Sequence, residues 1–300
     1  MSAAEIVDAH MHLWDLERNY YPWLCDELAG PHRYGDSTPI RRTFLPPDYL
    51  SVTANQNVVA TVHVEAEWNP ADPVGETRWL EEMIGAHGVP SVIVAQGWLD
   101  RDDAEAILAV QASFPGVRGI RHKPRTSATP RTSKPGAAGS MGDPKWPAGF
   151  ALPERFGLSF DLQTNYWHLH EAADLAADFP GTQIIVSSAG FPTDRSTAGL
   201  DGWRESMAAV AAQPNVGVKI SGLGLTGGTW SLDANRSIVL ATIDMFGTDR
   251  VMCGSNFPPD SLAADFDTIF DGYAEIVADL GSAERIKLFR DNARRIYRID

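Results

Sequence analysis

Short apolar runs rich in Val, Ile and Leu recur along the chain, and a longer stretch of helix-like spacing follows nearly every one. The runs cover residues 6–14, 58–67, 91–99, 117–124, 158–164, 182–189, 216–223 and 250–258. β-Branched runs of this kind, bounded by polar and turn residues, read as strands. Helical patterning is expected from Pro46-Pro47-Asp48 onward, where proline suits a first turn, and over 73–87. Asp102 and Glu105 have the spacing of a capping box. Further helices are predicted over 168–179, 203–212, 231–246, 261–280 and 283–297.

Strands alternating with helices imply parallel pairing through right-handed crossovers. Eight such units in 300 residues predict an α/β fold, a (β/α)8 TIM barrel, in one domain covering 1–300. Long loops are expected after strand one (15–47) and strand four (125–149), the first rich in aromatic residues, the second in Pro, Gly, Ser and Thr. A doubly wound open sheet is the competing architecture. No strand is followed by G-x-G-x-x-G or by a phosphate-binding P-loop sequence.

Composition narrows the function classes. The net charge of −14 argues against nucleic acid or an anionic membrane as partner. No apolar run is long enough to span a bilayer. Two cysteines far apart, Cys25 and Cys253, give no disulfide framework, so a cytoplasmic location is expected. Cys253, inside the eighth strand, reads as a buried small hydrophobe. With the first strand read from about residue 6, no signal peptide is expected.

Active sites of such barrels lie at the C-terminal ends of the strands. Strand one places Asp8, His10 and His12 at alternate positions, expected to share a face. Histidines there serve as metal ligands, proton carriers or hydrogen-bond donors to an anion, and local hydrogen bonding alone would also account for them. The other strand ends offer Glu65, Arg121, His122, Lys123, Gln163, Ser188, Ser221, Asn256 and, shortly after, Asp260. Asp161 and Lys219 read as buried partners of one another. Between 118 and 145 stand seven basic residues, Arg118, Arg121, Lys123, Arg125, Arg131, Lys134 and Lys145, with Asp143 the only acid. A positive rim at the site, suited to a carboxylate, is expected; an ordinary solvated basic loop is the alternative. The Gly222–Gly228 segment is a candidate for anion binding on backbone amides.

Ile-Val-Asp-Ala-His-Met-His-Leu-Trp-Asp at the start resembles the amidohydrolase-2 family, as do Val-Arg-Gly-Ile-Arg-His, Phe-Asp-Leu-Gln and Ala-Gly-Phe-Pro. Val-Lys-Ile-Ser-Gly-Leu and Asp-Arg-Val-Met-Cys-Gly-Ser-Asn-Phe-Pro extend the likeness from about Ile6 to Arg298. The branch resembled contains sugar lactonases and 2-pyrone-4,6-dicarboxylate lactonase. It implies a (β/α)8 barrel that opens a carboxylated lactone or cyclic ester with activated water. Other branches are metal-assisted decarboxylases or carbon–carbon hydrolases, and a specialised non-hydrolytic barrel that binds a small acid is the third reading.

The resemblance implies metal ligation by His10 and His12. The family's strand-eight Asp aligns with Asn256, its strand-six His with Ser188, and a strand-five His with Gln163. A tight zinc site would then need Glu65 or His122 as well, so at most a weakly bound divalent ion such as zinc is expected. His10, His12, Arg121, His122, Asn256 and Asp260 are the expected catalytic residues. Glu65, Lys123, Gln163, Ser188 and Ser221 are the expected substrate contacts. A small carboxylate-bearing substrate is the expected partner, and homo-oligomerisation is left open.

Overall fold

In a computed structural model, which describes residues 4–27, 32–225 and 227–300, eight parallel strands stand in sequence order. They are β1 (Ile6–Met11), β2 (Val58–Val64), β3 (Val92–Gln96), β4 (Val117–His122), β5 (Ser159–Leu162), β6 (Ile184–Val186), β7 (Val216–Ile220) and β8 (Val251–Cys253). Each pairs with the next in parallel. The ends of β8 and β1 close the ring through Asn256 N–H to His10 O and His12 N–H to Phe257 O, both 2.7 Å. The expected (β/α)8 barrel is therefore the fold.

The strands are shorter than their apolar runs because the last residues of each run leave the ladder and turn toward the mouth of the barrel. β2 reads almost continuously apolar because it is covered on both faces. Val7, Ala9, Val62, Val94, Ile185 and Met252 form an apolar cluster with Tyr297 of the C-terminal helix. In the same interior Tyr297 donates its hydroxyl to Asp161, and Lys219 Nζ lies 2.7 Å from Asp161 Oδ2 with both side chains fully buried. The predicted Asp161–Lys219 partnership is thus structural, and Cys253 is buried as expected.

Several helix boundaries differ from expectation because of local capping. The Thr197–Ala211 helix starts earlier, where Ser196 accepts a hydrogen bond from Gly199 N–H. Residues 261–280 do not make one helix: a 3-10 turn, Pro259–Leu262, precedes Phe266–Ile276, whose N-cap Asp265 accepts from Thr268 N–H. The capping box at Asp102 does not form; the Ala104–Ala112 helix starts after Asp103, which pairs with Arg101 instead. Both long loops carry short helical turns, Pro22–Cys25 and Thr38–Ile40 in the first, Pro130–Thr132 and Trp146–Phe150 in the second, and the first brings Trp23, His32 and Arg33 to the mouth of the barrel.

Candidate active site

A cavity of about 370 Å³ opens at the C-terminal ends of the strands. His12, Arg121, Lys123, Gln163, Ser188 and Asn256 are in its wall, all expected from the sequence. Backbone conformation aims several of these groups. Glu67, Ser188, Phe191 and Asn256 have φ between 53° and 60°, a left-handed region costly for residues with a Cβ, and all four line the cavity. At Gly222 (φ 63°) an added Cβ would come within 2.7 Å of Arg33 and 2.8 Å of Ser188, so only glycine lets that turn pass behind the cavity wall.

His10 and His12 do point the same way, with ring centroids 5.1 Å apart. Asp8 does not join them. It accepts from Tyr49 OH (2.8 Å) and from the Ser255 N–H (2.8 Å) and hydroxyl (2.6 Å), because the β1–β2 register is irregular between Asp8 and Met11 and breaks the alternation.

His12 Nδ1 lies 2.6 Å from Val64 O. A carbonyl only accepts, so Nδ1 carries the proton. Burial, with Arg121 and His63 adding to it, holds the His12 pKa well below the usual imidazole range despite the Val64 hydrogen bond. The ring is therefore neutral, and Nε2 presents a lone pair. His10 Nδ1 is held by Ser221 Oγ at 2.9 Å, while its Nε2 is buried with no hydrogen-bond partner among the described residues. Burial and then the charge of Lys219 keep this ring neutral as well.

Asn256 completes this side. Its Nδ2 donates to Asp260 Oδ1 at 2.6 Å, which turns Oδ1 toward His12 Nε2 at 3.3 Å. Two acceptors thus face each other, next to the unpartnered Nε2 of His10. With His10 Nδ1 donating to Ser221 Oγ, its Nε2 becomes a third acceptor, and three acceptors so placed fit a cation. They include no carboxylate, and among the described residues no group of three His, Cys, Asp or Glu converges as a metal site. Asp260 is fully buried behind Asn256, outside the cavity wall. It accepts from Tyr34 OH (2.9 Å), and burial lifts its pKa to about 6 against the opposing pull of Arg33, Asn256, Tyr34 and the Gly222 amide. Of the glycine-rich segment, Thr226 lies outside the described residues.

The opposite side is built from ion pairs. Arg121 donates through Nε to Glu65 Oε1 (2.6 Å), through Nη2 to Glu65 O, and through Nη1 to Gln163 Oε1 (2.8 Å). Glu65 Oε2 accepts the Glu67 N–H at 2.7 Å, and Lys123 Nζ pairs with Glu67. These contacts correct the expected positive rim. Arg121 and Lys123 are balanced by carboxylates, and Arg118 bonds the Pro115 and Arg298 carbonyls at the other end of β4. Arg125 and Lys134 line a separate surface pocket.

His122 also departs from its expected place. It follows Arg121 on β4 and so faces the other way, stacked on Trp146 at 4.7 Å with Nδ1 accepting from Leu99 N–H, outside the cavity. Trp23, His32, Arg33, Phe191 and Pro259 line the cavity without having been singled out. The aromatic content of the 15–47 loop was the available signal for Trp23; Arg33 gave none.

The model of the amidohydrolase family matches residues 7–299. The chain belongs to this family. Over 299 residues, 100% of both chains, the amidohydrolase is 39% identical to y4mH, an uncharacterized protein of Sinorhizobium fredii. It is 29% identical to an L-fucono-1,5-lactonase of Burkholderia ambifaria, covering 98% of this chain and 96% of that one. In fold it resembles an amidohydrolase from Burkholderia multivorans crystallised with bound zinc, with a TM-score of 0.80, 24% identity and coverage of 99% and 100% of the two chains. Family and relatives make the protein a hydrolase. No helix among the described residues is long and apolar enough to cross a membrane.

Proposed function

We propose that this amidohydrolase opens the ester bond of a small lactone, releasing a hydroxy acid. The observation that carries this reading is His12 Nε2, kept as an acceptor by the Nδ1–Val64 hydrogen bond and set in the same cavity wall as Arg121. A water oxygen attacks the lactone carbonyl carbon and gives its proton to His12 Nε2. The tetrahedral oxyanion is stabilised by the guanidinium of Arg121. As it collapses, the ring C–O bond breaks and the leaving oxygen takes the proton back from His12. Asp260 is a positioning residue in this scheme: it orients Asn256, and Ser221 orients His10 in the same manner.

A divalent ion such as zinc, held weakly by His10 Nε2, His12 Nε2 and Asn256 Oδ1, would supply Lewis-acid polarisation and a more acidic water. Similarity to a lactonase supports the substrate class. A lactone bearing a carboxylate is a second reading, and Arg33 favours it. Arg33 lines the cavity, stacks over Tyr34 and Phe191, and lies 3.7 Å from Asp260, its nearest carboxylate.

A panel of sugar and carboxylated lactones, assayed after chelator treatment and again with added zinc, tests the proposal. Ring opening of at least one lactone is expected, with kcat/KM falling roughly 10²-fold or more in His12→Ala. Failure to open any lactone in either condition overturns it.

A further inference from the structure

A second compartment of about 310 Å³ abuts the first and shares Trp23, Glu67, Arg121 and Lys123 with it. Of its lining residues only Arg121 takes part in the chemistry above. Its walls are built for one kind of ligand. Trp23, Trp68 and Trp98 supply flat apolar faces. The Trp23 ring is locked by Nε1–H donation to Ala66 O at 2.7 Å, and the Trp98 ring is backed by the Arg101 guanidinium at 5.2 Å. Rigid rings of this kind bind with little loss of conformational freedom.

Among the aromatic faces stands Gln96, 6% exposed, whose Nε2 donates to Trp68 O at 3.3 Å while its Oε1 has no partner among the described residues. A buried carbonyl oxygen without a donor is costly, and rotation of the Gln96 amide toward the compartment would let a ligand hydroxyl satisfy it. The charged groups there, Glu65 with Arg121 and Glu67 with Lys123, already pair with each other. They ask for no net charge, yet the carboxylate oxygens still accept hydrogen bonds at their free lone pairs. The ligand that meets all three conditions is uncharged, has C–H faces for the tryptophans, and carries several hydroxyl donors. A sugar ring has these properties.

We propose that this compartment is a subsite for a second sugar ring, so that the substrate is the lactone of a disaccharide acid. The reacting ring sits in the inner cavity and the glycosyl unit passes the Lys123–Glu67 pair to reach Trp98 and Gln96. The inference rests on the lactonase reading for the reaction, but its binding component is measured separately.

Titration calorimetry with gluconate and with cellobionate, the open acids of a one-ring and a two-ring lactone, reads the subsite without turnover. Cellobionate is expected to bind at least tenfold more tightly than gluconate. Trp98→Ala should remove roughly that tenfold advantage and leave gluconate binding unchanged. Gln96→Met should weaken cellobionate alone, and Trp98→Phe, which keeps a ring, should retain most of the advantage and replaces Trp98→Ala should that variant fail to fold. Hydrolysis of gluconolactone and cellobionolactone is measured in parallel. Equal binding of the two acids, or a Trp98→Ala loss common to both, overturns the subsite even where lactones are opened. Trp98-dependent cellobionate binding without any lactone turnover upholds the subsite and overturns the reaction.

Discussion

The two sides of the cavity solve opposite problems. Where β1 meets β8, the functional atoms are buried and uncharged, and they lack partners: His10 Nε2 has none, and His12 Nε2 faces another acceptor on Asn256. Farther round the mouth, at the ends of β2 and β4, full charges are packed closely and nearly every one is matched, Arg121 by Glu65 and Lys123 by Glu67. Matched charges give the cavity its shape and hydrogen-bonding pattern but little net field. Unsatisfied atoms carry the free energy that a cation, a proton or a reacting water can recover. In this scheme proton transfer therefore belongs to the β1–β8 side, and substrate placement with support of the oxyanion belongs to the β2–β4 side.

The largest expected effect breaks the matched side. Arg121→Ala leaves Glu65 buried without a counter-charge and should cost about 3–5 kcal/mol of stability, read by chemical denaturation. The double variant Arg121→Met with Glu65→Gln removes both charges and should recover much of that loss. A single variant as stable as the parent would show that the pair is no structural clamp.

The boundary of the matched side is tested at His122. Burial lowers its pKa to about 4, against the raising effect of Asp100. In the unfolded chain the ring titrates near 6.5. Between those values the unfolded state binds a proton that the folded state does not, so this contribution to stability is complete above about pH 6.5 and is lost as the pH falls toward 4. It amounts to about 3 kcal/mol at most. His122→Phe should give a shallower acid decline in thermal melts with kcat/KM at neutral pH unchanged; a large activity loss would place His122 in the chemistry after all.

The smallest expected effect sharpens the unmatched side. Asn256→Asp sets a carboxylate beside His12 and His10, and zinc affinity should rise about tenfold or more in competition with a chromogenic chelator. Unchanged affinity would mean that the three acceptor atoms do not act together on a cation.

The barrel was legible because burial on both faces of a strand leaves a continuous apolar run, and eight such runs separated by helical spacing admit few topologies. His10 and His12 were legible for the same reason: polar residues stand out at the end of an apolar strand. His122 was misplaced although it neighbours Arg121, since a strand sends successive side chains to opposite faces and only one of the two reaches the cavity. Trp23 and Arg33 were missed because they arrive from a long loop, where no periodicity tells which side chain turns inward.

The sequence by itself determined the architecture, the end of the barrel that holds the site, and the histidine pair, because these follow from local periodicity and from strand order. Only the tertiary structure decided what each polar group meets. Arg121 is matched by a carboxylate 56 residues away, and Asn256 is turned toward His12 by Asp260 from behind. Such partners are chosen by proximity across the barrel, and a one-dimensional pattern records that a residue is buried without recording beside what.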